Sequence, residues 1–220
     1  MTARVLTVAQ QKGGAGKTTL VAHLAVAWAR ADDARVAILD IDPQRSLTAW
    51  NAARKEMSGR KEVGGDLAPI TVVEAQGWRV RTEAAALARD HDIVLVDSPP
   101  HAETESRVAV RSATRVVIPV QPSPMDVWAT RATLDLAADE KRPVTVVLNR
   151  VPARAALTDS MRAVLDESDA EIAAATLGNR TDFAAALVAG KGVHEWKPKG
   201  AAAREIRALA RELWARMDGA

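Results

Sequence analysis

Short, near-continuous apolar runs rich in Val, Ile and Leu recur along this chain, at residues 5–9, 36–39, 70–73, 93–96, 116–120 and 144–148. Stretches of helical period lie between them. Leu20, Val21, Leu24 and Trp28 mark one helix face, Val80, Ala84, Leu87 and Ala88 a second, and Met161, Val164 and Leu165 a third. Strands with no polar side need cover on both faces, and alternating helices provide it; the pattern dictates a mostly parallel, doubly wound α/β sheet with helices on both faces. With 48% hydrophobic residues the chain has ample material for a packed core. No repeat, low-complexity tract or Pro/Ser-rich linker divides it. The glycine-containing stretch at residues 58–69 lies between a helix and a strand and reads as a connection. One domain over residues 1–220 is expected.

Between the first strand and the first helix stands QQKGGAGKTT, residues 10–19. Gly13, Gly14 and Gly16 let backbone N–H groups, with that of Ala15, curl around phosphate oxygens free of Cβ clashes. The helix N-terminus at Lys17, Thr18 and Thr19 adds its partial positive charge. Lys17 is placed to reach the β- and γ-phosphates, and the Thr18 hydroxyl to complete a Mg²⁺ shell. The usual nucleotide-loop pattern also asks for glycine at position 11. That residue is Gln11, and an additional lysine, Lys12, follows it.

Two aspartate segments lie at strand ends, where open α/β sheets place their ligands. DIDPQRS, residues 40–46, carries Asp40 and Asp42. IVLVDSPP, residues 93–100, delivers Asp97 at the end of a hydrophobic strand, the Walker B form, in which a carboxylate joins the Mg²⁺ coordination sphere through water. Asp40 has two readings: support for the metal's outer shell, or hydrogen bonds to its own loop.

The KGGAGKT loop, DIDPQ and DSPP together resemble the ParA/MinD family of deviant Walker A ATPases, and the resemblance extends over nearly the whole chain. It implies a P-loop NTPase fold binding ATP and Mg²⁺. In that family the additional lysine, here Lys12, reaches across a nucleotide-sandwich dimer to the partner's ATP. Asp42 matches the aspartate that orients the water attacking the γ-phosphate, a role suited to an acceptor-only carboxylate. VIPVQPSPMD, residues 117–126, looks like the segment lining the dimer face. Asn149, at the end of VTVVLNR, matches the asparagine that reads adenine, since an amide both donates and accepts.

The formal charge of +2 is unevenly spread. From residue 180 onward, Arg180, Lys191, Lys197, Lys199, Arg204, Arg207, Arg211 and Arg216 face Asp182, Glu195, Glu205, Glu212 and Asp218. That segment is net +3, which leaves the preceding chain at −1. ParA-type ATPases bind DNA without sequence preference through basic residues in roughly this region, so Lys197, Lys199, Arg204 and Arg207 are the candidate contacts; scattered cations suffice to neutralise phosphates. The last helix, about residues 201–217, carries Ile206, Leu209, Ala210, Leu213, Trp214 and Met217 on one side. MinD-type relatives end in a membrane-binding amphipathic helix. Here acids interleave with bases on the polar face, so packing onto the sheet is the expected use and membrane binding is not expected.

The resemblance therefore implies a slow, Mg-dependent ATPase of the short ParA type. Such a protein dimerises on ATP, associates with the nucleoid in that state, and is reset by a hydrolysis-stimulating cargo adaptor. In this way it positions a plasmid, a chromosome locus or a protein cluster. The alternatives are a MinD-like membrane-cycling regulator and a dethiobiotin-synthetase-like ligase sharing the fold. Absent cysteines remove disulfide scaffolds, thiolate metal sites and cysteine nucleophiles, and absent tyrosine removes tyrosine autophosphorylation. MTARVLTVAQ reads as a strand and not as a signal peptide, and no apolar run approaches the ~20 residues of a membrane span, so a cytoplasmic protein is expected. The tryptophans are expected to be mostly core or rim anchors. His23, His91, His101 and His194 lack ligand spacing, and no metal beyond Mg²⁺ is expected.

Overall fold

The computed structural model describes residues 4–31, 34–58, 67–100, 103–153, 156–168 and 170–218. Strands and helices alternate. β1 (Arg4–Val8) leads into α1 (Lys17–Ala31), β2 (Val36–Asp40) into α2 (Ser46–Ser58), and β3 (Ile70–Glu74) into a single 3₁₀ turn and α3 (Val80–Leu87). β4 (Ile93–Asp97), α4 (Glu103–Ser112), β5 (Arg115–Val120), α5 (Pro124–Asp139), β6 (Val144–Leu148) and α6 (Ala156–Asp166) continue the series. The two-residue β7 (Glu171–Ile172) precedes α7 (Thr181–Val188), α8 (Val193–Trp196) and α9 (Ala201–Asp218).

The strands form one sheet in the order β3-β2-β4-β1-β5-β6-β7, and every pairing is parallel. β1 lies between β4 and β5, so the chain winds outward from it in both directions. The crevice that this reversal opens at the strand C-termini is where such sheets bind ligands. Register brings the two aspartate strands level there: Asp40 pairs with Asp97, and Val8 with Asp97.

Alternation along each strand divides the core. Leu6, Val8, Ile38, Leu95, Val117 and Val147 face a layer made by α1, α2, α7, α8 and α9. Val5, Ala37, Leu39, Val94 and Val96 face α3 and α4, while Val116, Ile118, Val120, Val146 and Leu148 face α4, α5 and α6. The doubly wound arrangement expected from the apolar runs is the one observed. The connection anticipated at residues 58–69 falls largely outside the described residues, as does His101.

α9 adds α1 to the packing expected of its stripe. Ile206, Leu209, Ala210 and Leu213 are buried in the core shared by α1 and the sheet face beneath it, and Arg216 of α9 donates to the Ile172 carbonyl of β7 at 3.2 Å. Trp28 of α1 donates its indole N–H to the Ala210 carbonyl at 3.2 Å and packs against Trp214 with ring centroids 6.2 Å apart. At the far pole of the sheet the Arg4 guanidinium lies 4.1 Å from the Trp214 ring centroid and pairs with Asp218. No described helix is long and apolar enough to cross a membrane. The tryptophans depart from expectation. Trp28 and Trp50 are buried and Trp214 half-buried, whereas Trp78, Trp128 and Trp196 stand exposed on the surface.

Candidate functional site

The turn from β1 into α1 is built around a buried polar core. Gln10 is 2% exposed; its amide donates to the Thr130 hydroxyl of α5 at 3.2 Å, and its carbonyl oxygen accepts from the Lys17 ammonium at 3.0 Å. Gly14 and Gly16 adopt φ of 78° and 93°, the left-handed region that disfavours any side chain. A Cβ on Gly16 would stand 2.5 Å from the Asn149 amide nitrogen, so this position is closed to larger residues twice over. Gly13 and Gly14 meet nothing within 4 Å at the Cβ position and leave the concave side of the loop open. α1 has no acidic residue in its first turn, so nothing there opposes an incoming anion.

Thr18 donates its hydroxyl to one oxygen of Asp97 at 2.7 Å. The other carboxylate oxygen is fully buried without a hydrogen-bond partner. Burial pushes the Asp97 carboxyl up to about 7, Asp40 and Asp42 add to that, and the Thr18 hydroxyl and Lys17 ammonium oppose it. The same burial lowers the Lys17 pKa, against the pull of Asp97 and Asp42. A hydroxyl and a carboxylate with one oxygen orphaned in a dry position make a hard-oxygen donor set. It fits Mg²⁺, whose charge would satisfy the orphaned atom and hold Asp97 ionised.

Asp40 and Asp42 lie opposite this group, at the end of β2. Asp40 is buried; one oxygen accepts from the Asp42 N–H at 3.2 Å, the other from the Thr48 N–H and hydroxyl at 3.1 and 3.2 Å. Burial raises its pKa in spite of these bonds. Asp40 thus hydrogen-bonds its own loop and satisfies a free N–H in the first turn of α2. Asp42 is half-buried and accepts from the Gln44 N–H at 2.9 Å. It borders a cavity of about 800 Å³ walled by Pro43, Trp78, Pro99 and Glu105.

Lys12 stands at the outer lip of the loop with its side chain 37% exposed, and pairs with Asp126 of α5 at 2.9 Å. Asp126 also takes the Ser123 hydroxyl, and Ser123 caps α5 by accepting the Asp126 N–H. Residues 117–126, read as strand and loop, are therefore strand to Val120 and helix from Pro124. Gln121 ties the connection to the loop by donating to the Gly14 carbonyl at 3.2 Å. Neither Asp126 nor Thr130 was singled out in the sequence. The Ser-to-Asp spacing at 123–126 is a helix-start signal that would have located the first; Thr130 has no such mark.

Asn149 ends β6 against the loop. Its amide nitrogen donates to the Ala15 carbonyl at 2.8 Å and its oxygen accepts from the Arg150 N–H at 2.9 Å. It borders a cavity of about 530 Å³ lined also by Gly16, Thr19, Arg150, Gly178 and Thr181. The structure brings Lys12, residues 13–19, Asp40, Asp42, Asp97 and Asn149 to one edge of the sheet.

The basic candidates lie apart, Lys197 and Lys199 on the turn between α8 and α9, Arg204 and Arg207 in the first two turns of α9. Lys197 pairs with Asp182 at 2.6 Å. Arg204 donates to the Lys199 carbonyl at 2.6 Å and Arg207 to the Pro198 carbonyl at 3.5 Å, so both guanidinium groups fold back onto this turn.

Residues 6–193 match the family described as the CobQ/CobB/MinD/ParA nucleotide binding domain. The chain is 28% identical to maintenance of carboxysome distribution protein A from Halothiobacillus neapolitanus, over 94% of this chain and 95% of that one. It is 30% identical to protein ParA from Rhizobium radiobacter, over 89% and 87% respectively. An aspartate-to-alanine variant of McdA from Cyanothece, solved in complex with ATP, superposes with a TM-score of 0.76 at 17% identity, covering 97% of this chain and 96% of that chain. By sequence and by fold the chain belongs to the CobQ/CobB/MinD/ParA nucleotide-binding domain family, as a P-loop ATPase of the ParA/MinD type.

Proposed function

We propose that this chain acts as a single ATPase unit of the positioning type: it binds ATP with Mg²⁺, dimerises face to face in that state, holds DNA without sequence preference, and is released by hydrolysis. The observation that carries this reading is the pair of lysines on one loop. Lys17 is buried beside the phosphate cradle, while Lys12 remains partly exposed and is held by Asp126 of α5. A single nucleotide site needs only the first; a second, partly exposed lysine suits a phosphate held by a second copy once it leaves Asp126.

The chain's residues divide the work. The N–H groups of residues 13–19 and the Lys17 ammonium hold and orient the phosphates. Thr18 and Asp97 hold Mg²⁺, which when bound neutralises charge across the β- and γ-phosphates. Asp42 orients the attacking water, and Asp40 sets the Asp42 loop through its N–H. Asn149 fixes the loop against the cavity offered for the base, and reads adenine with whatever hydrogen-bonding capacity Ala15 and Arg150 leave it. Turnover is slow in the isolated chain because Lys12 completes the site only in the dimer, and an adaptor protein accelerates it. Lys199, Arg204 and Arg207 with Lys197 form the DNA-facing segment, and the buried stripe of α9 supports this reading over a membrane-cycling one. The cargo is a plasmid, a chromosome locus or a protein cluster, and the relative named for carboxysome distribution supports the last of these.

The deciding experiment is binding to random-sequence duplex DNA with ATP, with ADP and without nucleotide, across a salt series. Binding that needs ATP and weakens steeply with salt is expected. Binding that is absent in every state, or indifferent to nucleotide, defeats the DNA part of the proposal.

A further inference from the structure

α8 is a single turn, and its position is set from outside itself. From α1, His23 accepts the Val193 N–H at Nδ1 (3.2 Å) and sets Nε2 3.1 Å from the Phe183 carbonyl. From α2, the two terminal nitrogens of Arg54 reach the two oxygens of Glu195 at 2.7 and 2.6 Å. Arg54 also donates to the carbonyls of Gly190 at 3.2 Å and Ala68 at 2.5 Å. Glu195 accepts the N–H groups of Gly192 at 3.0 Å and Ala68 at 2.8 Å. The two side chains are 5% and 2% exposed.

Close packing makes this contact unforgiving. Gly190 sits at φ +64°, and a Cβ there would lie 2.7 Å from the Arg54 backbone nitrogen. A Cβ on Gly192 would lie 2.6 Å from Val26 of α1. The segment from Gly190 to Trp196 is thus wedged between two helices whose beginnings matter. α1 starts at Lys17 and Thr18; α2 starts just beyond Asp42, its first turn held by Asp40 through Thr48. Lys197 and Lys199 follow α8 directly.

We propose that the buried Arg54–Glu195 pair is a joint through which α8 senses the separation of α1 and α2 and transmits it to the basic segment at residues 197–207, the turn before α9 and its first two turns. A buried, doubly hydrogen-bonded ion pair gives little net stability over an apolar pair of the same size, but it admits one geometry. When phosphates pull the α1 loop and the Asp42 loop to a new spacing, the pair cannot stretch, because each buried charge would lose its one charged partner. α8 therefore travels with α2, and the turn behind it changes its presentation. Two charged residues at a position where two methionines would pack are explained by this need for geometry. The inference rests on the nucleotide reading of the site and is independent of the DNA reading.

Amide hydrogen exchange on the full chain, with and without Mg²⁺ and a non-hydrolysable ATP analogue, tests it. In the unaltered chain, exchange across residues 191–199 is expected to change about tenfold on binding, alongside protection at residues 13–19. In the Arg54→Met/Glu195→Met double variant the change at 191–199 should fall below about twofold while residues 13–19 remain protected. Glu195→Gln, which keeps the shape without the charge, should lose the response in the same way and serves if the double variant does not fold. An unaltered chain that shows no response at 191–199, or variants that respond as it does, would overturn the joint. If residues 13–19 gain no protection in the unaltered chain, the nucleotide reading fails, and the joint with it.

Discussion

Lys12 and Lys17 share a loop and meet opposite surroundings. Lys17 is enclosed, with burial lowering its pKa against the pull of two carboxylates, Asp97 and Asp42; Lys12 is partly exposed and pairs with the buried Asp126 of α5. Their substitution should therefore separate two events. Lys12→Ala is expected to keep ATP binding and lose the ATP-driven dimer, seen by sedimentation velocity. Asp42→Ala is expected to bind ATP and remain dimeric while phosphate release falls about 10²- to 10⁴-fold, the range removed with an oriented proton acceptor. Normal turnover in that variant would move the water-orienting role elsewhere. At this scale the sequence was legible wherever a residue type sits at a fixed offset from a strand end, as Asp97 and Gly16 do. It was silent on Asp126 as the partner of Lys12, because only the packing of α5 beside the loop joins them. Asn149 was located correctly at the end of its strand, but its bond to the Ala15 carbonyl comes from β6 lying beside the loop, which no local pattern encodes.

Among the elements, α9 gives the plainest energetic test. Its stripe was visible as spacing in the sequence, yet spacing cannot say which elements share a stripe's core, and α1 proved to be among them. Leu209 is fully buried there. Leu209→Ala is expected to cost about 2–5 kcal/mol in urea unfolding, the usual result of a core cavity. A cost under about 0.5 kcal/mol, the size of a surface change, would mean that α9 does not stay docked in solution. β7 went unseen because two residues, one of them charged, leave no apolar run. α8 was missed for a related reason: its order comes from Arg54 and His23, which belong to other helices.

For the molecule as a whole, buried histidines set the acid limit. His23 is fully buried and uses its Nδ1 lone pair on the Val193 N–H, so a proton there has no room to bond; burial lowers its pKa to about 4. His194 is lowered to about 4 by burial first and by Arg207 second. The unfolded chain takes up these protons near 6.5 and the folded chain only near 4. The histidine contribution is thus complete above roughly pH 7, falls as pH drops from 6.5 to 4 and loses nothing more below that, while Asp97, raised to about 7, acts with the opposite sign as pH falls from 7. The loss from His23 alone is on the order of 3 kcal/mol. The difference in urea midpoint between the unaltered chain and His23→Gln, followed from pH 7.5 to 4, measures it, and a difference that does not change with pH would refute the neutral, buried state of His23.

The stacking of Arg4 on Trp214, with its pair to Asp218, brings both ends of the described chain to one pole. That pole is the N-terminal edge of β1, a strand length of roughly 17 Å from the phosphate cradle. The molecule consequently has a natural handle. A fluorophore or surface tether fixed at either end leaves the nucleotide mouth unobstructed, and a short peptide joining the two ends would give a circular permutant with the cradle undisturbed.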